Sequence, residues 1–433
     1  MPAAIGNFFH ILFNVTDTFV AGYISTDAQA ALAFSFPLFF FIIAAGVGLS
    51  QASTGLVARS KGAGKPSHGR YYIGQLFAAA LILGVAVAAL GIPLARPFLD
   101  FLGATGHQTE LSVDYIYWLY AAGPLFMAVQ ICGGILTAHG NTVTYRNVLV
   151  TASVLNLLLD PMLAFGWFGL PALGMHGIAI ATLLSQLMML AWMGAVMLKL
   201  PMLRDLQAAH FVPRRRAQKQ IVAQAAPMSF SMLAINAGFV INTYFIASIE
   251  NIAVAAYGIA LRIEQLVLLL TIGLYTGLLT IAGQNFGARL YARMYETLRL
   301  ANLCGLALAG AGAVVLLAGG HFLVGLFNED ELIIKHGFEY LVVAAALGPV
   351  YVIKHHYSCM LQAIGKPAMV AVFGAVRLVA LPLVLCPLFV LVFEMGIPGI
   401  WLSLFLSNFT VTVFAFFYVS GMLRRHAPLP AAA

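Results

Sequence analysis

Apolar residues run in stretches of about twenty positions from one end of this chain to the other, separated by short segments rich in Gly, Pro and charge. As a helix, a stretch of that length crosses the hydrocarbon of a bilayer. The pattern predicts twelve spanning helices, at roughly 3–24, 30–58, 71–96, 111–138, 145–168, 175–198, 224–248, 253–284, 296–320, 333–362, 368–393 and 397–422. Several exceed 25 residues, which implies tilt or extension beyond the hydrocarbon. The apolar positions do not alternate with polar ones, which excludes a membrane barrel built of period-two strands. The expected fold class is an all-α polytopic membrane protein.

Composition agrees with the pattern. The 433 residues are 62% hydrophobic and 9% charged, with a mean hydropathy of +0.95, whereas soluble domains carry about 25% charged residues. The net charge of +7 matters through its placement. Seventeen Lys and Arg residues fall in one alternating set of loops, from Arg59, Lys61, Lys65 and Arg70 through Arg214, Arg215 and Arg216 to Arg424 and Arg425. The opposite set holds only Arg96 and Lys335. Positive loops stay inside, so the expected product is a multi-pass protein of the inner (plasma) membrane with both termini cytoplasmic. The "RRRAQK" run reads as topogenic and touching anionic membrane lipids, with no nucleic acid as partner. No cleavable signal peptide is visible. Cys132, Cys304, Cys359 and Cys386 lie in apolar segments without metal-like spacing and read as buried thiols.

The two halves repeat. Asp17 and Asn242, Gly48 and Gly273, Tyr115 and Tyr340, Pro124 and Pro349, and Gly140 and Gly365 are each 225 positions apart. Nearer the end the offset becomes 222, where "LGMHGIAIATLLSQ" (173–186) lies over "MGIPGIWLSLFLSN" (395–408). The first and seventh spans both start inside, so the copies are parallel and form two pseudo-symmetric six-helix lobes. The expected division is 1–198 for the first lobe, 199–223 for a basic cytoplasmic linker and 224–433 for the second lobe with a short tail. Paired lobes of this kind enclose a midplane site and alternate access by rocking. Pro227 is preceded by "AQKQIVAQAA", while its counterpart Pro2 has only Met1 before it, so the reading frame is expected to extend upstream.

Ionisable groups inside spans are functional candidates by default. The first lobe has two such acids, Asp17 in span 1 and Asp160 in span 5. At 1.5 Å per residue both lie ~10–12 Å below the outer surface, and Thr182 in span 6 reaches ~10 Å. Asn156 is one turn from Asp160 on the same face. Two carboxylates in a dry pocket repel, and a proton or a small hard cation such as Na⁺, with Asp17, Asn156, Asp160 and Thr182 as oxygen ligands, would relieve them. Pro161 removes one helix hydrogen bond and supplies a hinge beside the carboxylate. The alternative is that these groups only tie neighbouring helices together. In the second lobe Asn242 replaces Asp17, Cys386 replaces Asp160 and Leu404 replaces Thr182, so packing symmetry does not explain the acids. That lobe has its own polar set: Arg262, Glu264, Lys354, His355, His356 and Arg377. Glu264 and Arg377 sit at similar depth and are expected to pair, with Arg262, Lys354 and Arg377 as buried cations. His355 and His356 point to different faces, against a shared metal.

H-E-x-x-H, G-x-S-x-G and Walker A patterns are missing, so neither an enzyme nor an ATP-driven pump is expected. No cofactor is expected beyond a coupling ion, H⁺ or Na⁺. Phe36, Phe39, Phe40, Tyr115, Tyr244 and Tyr275 are candidates to line a cavity. The segments "NVTDTFVAGYIS" (14–25), "GILTAHGN" (134–141), "NLLLDPMLAFGWFGLPALGMHGIAIAT" (156–182) and "AGQNFGAR" (282–289) resemble the multidrug and toxic compound extrusion (MATE) family over the whole chain. The resemblance implies a V-shaped pair of bundles, acting as a monomer, that exports amphipathic, often cationic, small organic compounds in exchange for H⁺ or Na⁺. It also implies a cation site at Asp17, Asn156 and Asp160, with Thr182 beside it. Span 7 lacks the acid, and span 10 offers Lys354, His355 and His356 where some members carry another acid. A rival reading is a flippase of lipid-linked precursors of related fold, which usually has more spans and a more cationic cavity. A facilitator-type transporter is a weaker rival, because "RSKGAGKPSHGR" lacks the acid its loop usually carries.

Overall fold

The computed structural model describes residues 15–426, apart from the side chains of Leu270 and Ile272. Its helices are α1 (15–24), α2 (Thr26–Gly62), α3 (Pro66–Phe101), α4 (His107–Ala121), α5 (Gly123–Ala138), α6 (Thr142–Phe165), α7 (Met175–Met197), α8 (Arg215–Ala247), α9 (Asn251–Gly287), α10 (Tyr291–Gly325), α11 (Glu331–Ala363), α12 (Ala368–Ala375), α13 (Leu381–Pro387) and α14 (Gly396–His426). Among the described residues there is no strand. Among the described residues, ten stretches are long and apolar enough to cross a membrane, and eleven if α4 and α5, bent by 55° between them, count as one. The expected span at 3–24 lies mostly outside the described residues, and α1 is its end. This is an all-α, multi-pass membrane protein.

The helices are apolar on both sides, and that is what lipid as solvent demands. Ile116, Ile135 and Ile178 are fully buried, while Phe19, Leu81, Val314 and Phe417 are 59–69% exposed. A soluble helix would present charge on that outer face. Turn chemistry sets the ends. Ser25 and Asn141 cap α2 and α6 by accepting the N–H of Ala28 at 3.0 Å and of Thr144 at 3.2 Å.

The chain divides into two compact units, Met1–Ser229 and Phe230–Ala433. Their turns repeat as the sequence does. Gly140 (φ 82°) leaves α5 and Gly365 (φ 77°) leaves α11, a separation of 225 residues. Where Gly64 (φ 64°) leaves α2, the second unit uses Arg289 (φ 59°), a left-handed backbone on a residue with a Cβ. One irregularity is confined to the second unit: π-helical turns at Val376–Ala380 and Leu388–Val392 flank α13. A π-turn houses one extra residue in a helix. The first of them accounts for the offset rising from 225 at Gly365 to 226 at Cys386, opposite Asp160.

The linker is not a free tether. Short helical turns at Pro201–Leu203 and Ala208–Phe211 lie against α3. The Gln75 amide, fully buried, donates to the carbonyls of His210 (2.8 Å) and Val212 (2.7 Å) and accepts from Arg214 N–H (2.8 Å). Arg70 adds an ion pair to Asp205 at 2.5 Å. Gln75→Leu would strand three backbone groups, at about 1 kcal/mol each. The expected result is faster tryptic cleavage at exposed Arg214–Arg216, read by gel, with the spans still folded. Cleavage at the wild-type rate would show that Gln75 does not hold the linker.

Candidate functional site

In the first unit α1, α4, α6 and α7 bring polar side chains into one sealed cluster. Asn156 and Asp160 are fully buried, and Asp17, Tyr115 and Thr182 are at most 5% exposed. The Tyr115 hydroxyl donates to Asp17 Oδ2 at 3.0 Å, and Thr182 Oγ1 donates to the same oxygen at 3.4 Å. Asn156 Nδ2 donates to Asp160 Oδ1 at 2.9 Å, one helical turn along α6. The Asp17 and Asp160 carboxyls meet within hydrogen-bonding range of each other. Among the described residues, Asp17 Oδ1, Asp160 Oδ2 and Asn156 Oδ1 have no donor. Two carboxyls in contact need a proton between them, or a cation, because neither ionised oxygen can donate. The three orphaned oxygens suit either.

Local sequence explains why these helices come so close. The loop after α6 turns at Gly166 (φ 75°) and folds back, so that Leu173 and Gly174 N–H groups bond the carbonyls of Leu163 (2.9 Å) and Ala164 (3.1 Å). Gly177, in the first turn of α7, then lies on the α6 backbone: a Cβ there would be 2.6 Å from Leu163. Backbone contact at that point brings Thr182, five residues on, level with Asp160, three residues back. On the other side, Trp118 Nε1 donates to His176 Nδ1 at 3.0 Å and ties α4 to α7, which fixes Tyr115. α6 runs through Pro161 as one helix.

All four first-lobe residues expected to share a depth therefore share a cluster. Tyr115 is the member that depth reasoning did not assign to it. Its signal was the repeat, which keeps Tyr at 340. In the second unit the Tyr340 hydroxyl donates at 2.6 Å to Glu264, from α9, rather than to the residue matching Asp17. Asn242, at the Asp17 position, is 4% exposed, and Cys386, at the Asp160 position, donates to Ser403 Oγ at 3.2 Å. The second unit thus replaces both carboxyls with neutral groups and brings in a single acid, Glu264, from another helix.

Three expectations for the second lobe are corrected. Glu264 and Arg377 make no direct ion pair; Arg377 Nη1 donates to Asn408 Oδ1 at 2.6 Å, and Glu264 Oε2 accepts from the Tyr340 hydroxyl. Equal depth brings them near enough to act on each other's charge, but each spends its hydrogen bond on a different neighbour. Arg262 is exposed rather than buried, since it follows α9 to the outside of that unit. Cys304 is likewise exposed, unlike the other three thiols. His356 is 1% exposed and bonds Asn302 Oδ1 at 2.9 Å, while His355 is exposed with Nδ1 at 2.8 Å from its own helix carbonyl, Tyr351. The two rings do point apart.

Beside the carboxyl pair lies a small pocket of about 40 Å³ between α2, α5, α6 and α7. Phe39, Phe126, Tyr145 and Met189 give it an aromatic and apolar wall, and Gln130, Ser153 and Gln186 give it polar points. Ser153 is three residues from Asn156 and Gln186 is four from Thr182, so the pocket starts one helical turn, about 5 Å, from the cluster.

Two repeated helical units that cross a membrane, one of them holding a sealed carboxyl pair next to a pocket, define a membrane transporter. The MatE family model matches residues 2–162 and again 227–388, once in each half. The chain belongs to this family, the MATE multidrug-efflux transporters. Over 421 residues it is 29% identical to a protein of Shewanella oneidensis named FAD transporter, covering 96% of this chain and 92% of that one. It is 23% identical over 441 residues to the probable multidrug resistance protein NorM of Thermotoga maritima, covering 99% and 92%. An outward-facing MATE family transporter of the MOP superfamily shares the fold at a TM-score of 0.89 and 22% identity, covering 99% of this chain and 95% of that one.

Proposed function

We propose that this protein is a secondary antiporter that exports amphipathic small organic compounds in exchange for H⁺ or Na⁺, by alternating access in the inner membrane with both termini cytoplasmic. The observation that carries the reading is the contact between Asp17 and Asp160, whose free oxygens are buried and have no donor among the described residues. A cation entering from outside neutralises the pair and lets α1 and α6 approach, with Pro161 as the hinge. The helix movement reaches Ser153 and Gln186 within one turn, and so reshapes the pocket beside it. When the cation leaves, repulsion between the carboxylates restores the cargo-binding shape. Cargo and cation thus favour opposite arrangements of one set of helices, which is the requirement for exchange. The relatives' names, multidrug resistance protein and FAD transporter, support a small organic cargo.

Purified protein in liposomes, loaded with a fluorescent aromatic cargo, tests this. Under an imposed pH gradient alone, and then a Na⁺ gradient alone, one of the two should drive uphill cargo movement. Uphill movement under neither would refute antiport.

A further inference from the structure

The second unit holds two buried cations with no direct ion pair among the described residues; buried Glu264 acts on Arg377 from a distance, and no acid acts on Lys354. Arg377 is 7% exposed and Lys354 8%, both in spanning stretches. Among the described residues Arg377 has one hydrogen-bond acceptor, Asn408, and its Nε has none; its guanidinium lies 5.6 Å from the Tyr351 ring centre. Lys354 has no hydrogen-bond partner among the described residues, and no carboxylate there lies within 4.0 Å of either cation. The two are near enough to repel each other. Unpaired buried charge is costly, and two like charges together cost more.

The placement is specific. Lys354 follows Tyr351 by three residues, on the same face of α11 as the ring that carries the guanidinium. Arg377 stands in the π-turn Val376–Ala380, and single π-turns recur at functional sites. The first unit is the control. Stepping back 225 positions from Lys354 and Arg377 gives Val129 and Ala152, and both line the neutral pocket beside the carboxyl pair. The fold therefore builds this place without cations in one unit and with two in the other.

We propose that Lys354 and Arg377 bind the anionic group, a phosphate or carboxylate, of an organic cargo. Arg377 offers a fixed fork with a free Nε, and Lys354 a mobile point charge. The site names a substrate class for the transport reading and rests on that reading only for the word cargo. Binding itself needs no gradient.

The test uses three ligands that share a ring and differ in charge: 1-naphthyl phosphate, 2-(1-naphthyl)ethanol and 1-naphthylmethylammonium. Calorimetry on purified protein in phosphatidylcholine nanodiscs should show the phosphate bound about tenfold or more tightly than the ammonium ion. Lys354→Gln and Arg377→Gln should each remove that preference while leaving the affinity for the alcohol and the elution profile unchanged. Asp17→Asn should keep it. A wild-type protein that binds none of the three, or all three equally, overturns the proposal, as does a preference that survives both glutamines. Loss of phosphate binding in nanodiscs rich in phosphatidylglycerol would reassign the site to lipid headgroups and overturn the cargo assignment. Failed coupled efflux with an intact charge preference would strike antiport alone; the reverse result would strike this site alone.

Discussion

Asp17→Asn and Asp160→Asn proteins are expected to bind cargo but to lose uphill transport altogether. Each amide keeps an oxygen that can accept the bonds now made by Tyr115, Thr182 or Asn156. What each loses is the exchangeable proton or the second charge on the cation. The second unit supplies the packing control, because Asn242 is already buried at the place that matches Asp17. For one H⁺ exchanged per cargo, a gradient of about two pH units supports up to about 100-fold accumulation, since each unit supplies about 1.4 kcal/mol. Wild-type protein should approach that ratio in liposomes, or show the equivalent under Na⁺. Both amide variants should stop at a ratio of one while still equilibrating cargo down its gradient. Uphill accumulation by either variant would remove that carboxyl from the coupling step.

The spans were legible because lipid leaves little choice: each crossing needs about twenty apolar residues, whatever it packs against. The repeat was legible for a related reason, since Gly140 and Gly365 hold the same left-handed turn in both halves. Depth counting also found Asp17, Asn156, Asp160 and Thr182, because rise per residue converts sequence into height. Height is only one coordinate. The direction a side chain takes around its helix depends on how helices are rotated against each other, and no count along the chain contains that. Hence Glu264 and Arg377, level in depth, have Tyr340 and Asn408 as partners instead of each other. Hence also Arg262 is exposed. The docking of residues 201–214 on Gln75 was hidden for a different reason. Its bonds run to backbone groups, which carry no residue identity to read.

Gly177→Ala should cost more than the matched change Gly399→Ala, and only the first should disturb coupling. The two glycines are 222 positions apart and do the same work, each laying the start of a helix on the end of the one before it. The fit differs. A Cβ at Gly177 would stand 2.6 Å from the Leu163 backbone, whereas at Gly399 the nearest atoms, the Cβ atoms of Met395 and Phe389, are 3.0 Å away. At 2.6 Å the two backbones must part, whereas at 3.0 Å a shift of a few tenths of an ångström suffices, so α7 must lift from α6, and overpacking of this kind costs about 1–3 kcal/mol. The lift moves Thr182 relative to Asp160, and Thr182 shares Asp17 Oδ2 with Tyr115. Gly177→Ala protein should therefore melt several degrees below wild type in detergent and reach a lower uphill cargo ratio. Gly399→Ala protein should melt close to wild type and couple normally, because its helix pair ends in the neutral Cys386–Ser403 contact. Equal losses of coupling in the two variants would mean that the carboxyl cluster is not what the α6–α7 contact serves.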